Sequence, residues 1–520
     1  MYPQTLTLKV LESQHPDYTA RIPALTTIHD LCVGGWQLEQ KKSQYLKPRP
    51  GEEPELYKLR LEKFTYTNVL GMAISQQVSK LSSGTLTLSG ANPEEFWSKF
   101  REANSPKGRD EKTLLGEMFR ISLRYQHCYL HIEKPYADVE IVNRAQEESL
   151  GLQPYICLYT PLECINWSEG KSGLEWLKIR QLEPVSDPFK TAQTRATWTF
   201  IDDTSVAKYS ALVKLNKAGK IAEIVDSEGN SLDSGEDAKI PLDRVVTHGM
   251  GKLPVVKLEL PDDLWLTNQA YLKQLEHLNL DNSQYDTALM SGYVQRVYRP
   301  YTVPDADLDH TFVDNEDPIK TGNQYVLKAD SFTFSEASGS SVNTVGGLMA
   351  SIEYQIRDLV GLAGASASQG AVEQSGISKK MDFVIQELVL RAYGQLLCSA
   401  YQDLLQLVGK AAGLPETELE SLSITGLDEF SIDTLEVSIA LATQLEPLTS
   451  RIPPTALKLF YQQLSNLLVK NASAEQQQEI EAEMDQLMQQ QQTMKDLSMQ
   501  QAALAVQQAE MAAQPPPRAA

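Results

Sequence analysis

Residues 262–292 read DDLWLTNQAYLKQLEHLNLDNSQYDTALMSG, and the fold turns on this stretch and the segments downstream of it. Asp262 and Asp263 stand behind Pro261, an arrangement that suits a helix N-cap and places negative charge at the positive end of the helix dipole. Tyr271, Leu275, Leu278, Tyr285 and Leu289 recur at alternating spacings of four and three, with Asn282 taking the one missing beat. The helix is expected to stop near Gly292. So narrow a stripe covers one side only, leaving the other faces to water, sister helices or a polar lumen. A surface helix of a globular core carries the same periodicity, so the periodicity leaves both readings open.

Outward from this helix the pattern changes. From Tyr293 to Asn343 short alternating runs, Val294 to Tyr298, Tyr325-Val326-Leu327 and Phe332-Thr333-Phe334, are punctuated by Pro300, Pro304 and Pro318, which predicts a small β module. Helical spacing resumes at Leu348, Ile352, Ile356 and Leu359 and breaks at Gly361 and Gly364. Ala363 to Gln374 is almost entirely Ala, Ser, Gly and Gln, with Glu373 its only charge, and is expected to be a mobile loop. A further helix opens at Ser375-Gly376, with Ile377, Met381, Val384 and Leu388 on one face and Lys379, Lys380 and Glu387 off it. It is expected to run to Lys410, before Gly413 and Pro415. Two helices flanking a β insertion look like a stalk carrying a tip, an order that belongs to an assembly more than to an ordinary enzyme.

Several short motifs lie around this core in a fixed order. They are Tyr45-Leu46-Lys47-Pro48, Tyr57-x-x-Arg60 and Tyr66-x-Asn68; Pro161 through Ile165-Asn166-Trp167; His248-Gly249 with Pro254-Val255-Val256; Leu264-Trp265-Leu266; and Ser375-Gly376. On their order and spacing the chain, from about Tyr45 to Lys410, resembles the portal proteins of tailed bacteriophages.

The resemblance implies an α+β portal fold. Residues 1–260 would be the N-terminal part of a mixed wing, 261–292 and 344–362 the paired stem helices, 293–343 a β-containing clip and 363–374 a tunnel loop. The long wing helix and its return strands would occupy 375–436, crown helices 437–513 and a disordered tail 514–520. It further implies a ring, usually of twelve subunits, at one capsid vertex, through which double-stranded DNA enters and leaves without sequence specificity. Implied partners are further copies of the chain, the terminase packaging motor, neck and adaptor proteins and the major capsid protein, with no cofactor. Ser366, Ala367, Ser368, Gln369, Gly370, Ala371, Val372, Glu373 and Gln374 would face the DNA. Asp305, Asp307, Asp309, Asp314, Glu316 and Asp317 would form the clip's docking surface. The chain departs from the family pattern in a tunnel loop without Lys or Arg, so no charged contact there is expected to grip the duplex.

Composition agrees with that picture. The 520 residues allow several domains, and 42% hydrophobic with 22% charged residues is ordinary for a globular protein. A net charge of −21 argues against tight binding of a phosphate backbone, which needs clustered Lys and Arg. An acidic lining would suit a channel that lets DNA slide, and plain solubility explains the charge equally well. Cys32, Cys128, Cys157, Cys164 and Cys398 form no CxxC pair and fit buried free thiols in a reducing cytoplasm. Neither a signal peptide nor a run of the ~18 apolar residues needed to span a bilayer is evident, so no membrane partner is expected. The expected location is the virion, after assembly in the host cytoplasm.

Residues 55–81 read as one helix, giving way at Ser82-Ser83-Gly84 to alternating Thr85 to Leu88. Pro93 to Ala103 reads as another helix, followed by a charged loop at 106–110. From Leu130 to Val246 the pattern is mostly strand-like, with hairpin turns at Asn216 to Gly219 and Asp226 to Gly229. Beyond Pro415, Ser423-Ile424-Thr425 and Phe430-Ser431-Ile432 read as short strands. Pro454 to Lys470 reads as helix, and Ala474 to Ala513 as an imperfect Gln-rich helix or a disordered tail.

Three constellations resemble chemistry. His127, Cys128 and His131 lie in an apparent strand, Tyr125 to Ile132, without a fourth ligand nearby, so a metal site is not expected. Asp305-x-Asp307-x-Asp309 with Glu316 at the twelfth position imitates an EF-hand loop, but His310 stands where the turn demands Gly; a solvated acidic tip is the better reading. Gly249-Met250-Gly251-Lys252 lacks phosphate-loop spacing and runs into Leu253-Pro254. No catalytic activity is expected, and ATP hydrolysis would belong to a partner. Another ring or scaffold protein, or an acid-base hydrolase with two convergent carboxylates, are the rival readings.

Overall fold

The computed structural model of the protein describes residues 2–135, 151–171, 173–186, 193–216, 219–291, 295–300, 329–335, 340–362, 376–428, 430, 482, 483 and 486. The chain divides into two compact units, residues 1–430 and 431–520. Of the expected crown helices only residues 482, 483 and 486 are described, and these are helical. The rest of 437–513, and the tail at 514–520, lie outside the described residues.

The first unit opens with strand β1 (Thr5–Thr7) and helices α1 (Leu8–Leu11), α2 (Pro16–Val33), α3 (Gly35–Gln40) and α4 (Lys42–Tyr45). Helices α5 (Pro54–Glu62) and α6 (Val69–Leu81), strand β2 (Leu86–Ser89), and helices α7 (Glu94–Glu102) and α8 (Glu111–Tyr125) follow. The strand-rich part comprises β3 (His127–Glu133), β4 (Tyr155–Tyr159), β5 (Cys164–Gly170), β6 (Gly173–Val185), β7 (Gln193–Ile201) and β8 (Ser205–Leu215). It continues through β9 (Ile221–Val225), β10 (Ser231–Ser234), β11 (Lys239–Thr247) and β12 (Val255–Glu259). Then come α9 (Thr267–Ser291), β13 (Gln295–Pro300), β14 (Ala329–Ser335), α10 (Ser340–Leu359), α11 (Gly376–Ala411), α12 (Glu416–Ser421) and β15 (Ser423–Gly426). The architecture is α+β, as the sequence pattern predicts.

All described strand pairs are antiparallel. An eight-stranded sheet runs β1-β11-β8-β7-β6-β5, with β9 on the far half of β8 and β10 beside β9. A smaller sheet, β12-β3-β4, lies between it and the helices. Strand β3 is buried on both faces, and side-chain alternation sorts its residues. Cys128, Leu130 and Ile132 enter the helical core, whereas Tyr129 joins Leu177, Ile179 and Ile201 of the large sheet.

The helical core gathers α6, α8 and the C-terminal half of α11 around Ile352 and Ile356 of α10. From α11 it receives Leu390, Leu397, Leu404, Leu405 and Val408, none more than 1% exposed, each contributing roughly 1.5–3 kcal/mol through burial. Further cores lie between the N-terminal helices and the large sheet, and around Leu31, Leu38 and Leu278.

Four local expectations need correction. Helix α9 begins at Thr267, not at Asp262, because Asp262 to Leu264 form a turn on the Pro261 carbonyl that delivers Trp265 into the core. The helix read over 55–81 is two helices, since residues 64–68 are non-helical and Asn68 caps α6 by accepting from the Gly71 N–H at 2.8 Å. Tyr125 ends α8 instead of opening a strand; Gln126 reverses the chain at φ 77 and its side-chain amide donates to Asp262 at 2.7 Å. Leu388 is 58% exposed, so the buried face of α11 runs instead through Gln386, Leu390, Tyr393 and Leu397. Helices α1 to α4 and α8 have no counterpart in the sequence reading.

Candidate functional site

The arrangement that sets this chain apart is the pair α9 and α10 with the two-stranded ribbon β13–β14 between them. The helices run antiparallel. His277 Nε2 meets Glu353 Oε1 at 3.3 Å, and seven residues further along α9 the side chain of Gln284 faces Gly346, seven residues back on α10. A Cβ on Gly346 would stand 3.1 Å from Gln284 Nε2, the mobile end of that side chain. The same antiparallel course continues into the ribbon, where Gln295 is opposite Ser335 and Tyr298 opposite Phe332.

The buried face of α9 differs from the apolar stripe read in the sequence. Tyr285 is 45% exposed, whereas Gln274, His277, Leu278 and Asn282 are at most 3% exposed. The reason lies opposite the helix, where residues 65–70 present backbone groups that need partners. Gln274 Oε1 accepts from Leu70 N at 2.8 Å and its amide donates to the Thr67 carbonyl at 2.9 Å. Asn282 accepts from Thr65 N at 3.0 Å and donates to the Thr65 carbonyl at 2.8 Å. Two amides, two helical turns apart, therefore clamp α9 to a segment more than 200 residues away.

The motifs around Tyr45, Tyr57 and Tyr66 hold this seat together, and two later ones tie other parts of the body. The Asp30 carboxylate, 2% exposed, receives the Lys41 ammonium at 2.7 Å and the Tyr45 hydroxyl at 2.6 Å. Tyr57 donates to the Leu46 carbonyl and Arg60 to the Lys47 carbonyl, so helix α5 staples the 45–48 turn. Arg60 also forks onto Glu52 at 2.7 and 2.9 Å; that bond, with the Arg49 N–H, holds the Glu52 carboxyl at about 2. Tyr66 donates to the Leu31 carbonyl and Asn68 to the Cys32 carbonyl. A Cβ at Gly71 would lie 2.3 Å from that same Cys32 oxygen, so α2 and α6 can meet there only across a glycine. Ile165 accepts from His15 N, Trp167 stacks on the His15 ring at 4.2 Å, and Tyr393 donates to the Leu264 carbonyl.

The tunnel-loop residues Ser366 to Gln374 and the acidic set Asp305, Asp307, Asp309, Asp314, Glu316 and Asp317 lie outside the described residues. So do the EF-hand lookalike and the Phe430-Ser431-Ile432 strand, apart from Phe430. Ile377, Met381 and Val384 fall on the described backbone of α11 only.

His127 and His131 share one face of β3 and Cys128 takes the other. Burial lowers the two imidazoles to about 3 and about 4 and raises the Cys128 thiol to about 12, so near neutral pH all three are uncharged. Among the described residues no group of three or more His, Cys, Asp or Glu could hold a metal ion. Gly249 to Lys252 is a loop with both glycines at φ 64, and strand β12 follows it where a phosphate loop needs a helix. The five cysteines are free; Cys32, Cys128 and Cys164 are buried, and Cys157 and Cys398 are only partly so. Among the described residues no helix is long and apolar enough to cross a membrane. Sequence reasoning missed Gln274 and His277 because a polar side chain gives no periodic signal of burial.

No family model matches the chain, and no curated protein matches it. Among solved structures it is similar to a chain of "Neck of empty GTA particle computed with C6 symmetry", at 11% identity and TM-score 0.36, over 77% of this chain and 90% of that one. It is also similar to a chain of "Virion of native gene transfer agent (GTA) particle", at 11% identity and TM-score 0.34, over 78% and 91%.

Proposed function

We propose that this chain is the subunit of a phage-type portal ring, a structural component of a virion that conducts double-stranded DNA during packaging and ejection. The observation that carries the reading is the antiparallel pair α9–α10 running into the β13–β14 ribbon and clamped to the body through Gln274 and Asn282. Subunits of a closed ring meet through heterologous contacts that repeat at one angle, and a helical hairpin fixed to the body can serve as the repeating spoke. Three of the motifs that resemble the portal family, around Tyr45, Tyr57 and Tyr66, lie in the seat on which the spoke rests and so support the reading.

In this reading the ring sits at one capsid vertex, twelve subunits being the family's usual number. The ribbon and residues between its strands meet the packaging motor and later the neck proteins, while the body meets the capsid shell. The chain has no catalytic activity of its own, and the motor supplies ATP hydrolysis. Negative-stain imaging and native mass measurement of the purified chain test the proposal. Hollow rings of uniform mass are expected; a protein that stays monomeric across concentrations and buffers that assemble other rings would overturn it.

A further inference from the structure

We draw no further inference here: the strongest candidate, the open groove along α6 lined by Met72, Ser75 and Leu362, is an unpartnered face, and nothing in the structure shows what covers it.

Discussion

His131 shows how a residue's chemistry is set by its surroundings. It is 1% exposed, stacked on Tyr159, and neither ring nitrogen has a partner. Burial lowers its pKa to about 4, against roughly 6.5 for an unfolded histidine. The sign comes from proton counting: between these values the unfolded chain binds a proton that the folded chain refuses, so stability falls as pH drops through that window. His127, lowered to about 3, adds to the same slope. Each site is worth on the order of a few kcal/mol once pH is below the folded value. His131→Phe preserves the aromatic contact and removes the titration. Urea midpoints measured from pH 7 to pH 4 are expected to fall less in the variant; parallel curves would show that this imidazole contributes nothing.

At the scale of elements, the clamp on α9 is the feature most open to test. Asn282→Leu keeps nearly the same volume but leaves the Thr65 N–H and carbonyl without their side-chain partners, a loss expected to cost about 2–4 kcal/mol. Denaturant unfolding measures the cost, and a double-mutant cycle with Gln274→Leu measures whether the two amides act together. A change below about 0.5 kcal/mol for Asn282→Leu would mean that water replaces the amide at once. The segment between α10 and α11 gives an opposite expectation. Its residues 363–374 are mostly small and carry one charge, so replacing Ser366, Ser368 and Gln369 together by Ala is expected to leave the proposed ring assembly intact. Rings lost in that variant would reveal packing by these side chains.

For the whole molecule, every described hydrophobic core is built from residues before 431. A chain truncated after Phe430 is therefore expected to unfold cooperatively, with a melting temperature within a few degrees of the full chain. A molten or aggregated product would show that residues 431–520 complete the body. The large antiparallel sheet and the helical core meet through the small sheet β12-β3-β4, whose strands give a face to each. Cavities cut on either side of it, such as Leu130→Ala or Leu177→Ala, are expected to cost about 2–5 kcal/mol and to lower a single transition, not to split it.

Much of this organisation was legible from residue order alone. The helix, ribbon, helix and long helix between Thr267 and Ala411 arise from spacing and from Gly and Pro, because periodicity and backbone preference act over a few neighbouring residues. The hairpin at Asp226 to Gly229 is similarly local, with the Asp226 carboxylate accepting two backbone N–H bonds and Gly229 at φ 87. The break between α5 and α6 was not legible, nor was the burial of Gln274, His277 and Asn282. Gln and Asn sit equally well in water or against an unpaired backbone. Which of the two they meet depends on a segment more than 200 residues away, and no local pattern carries that distance.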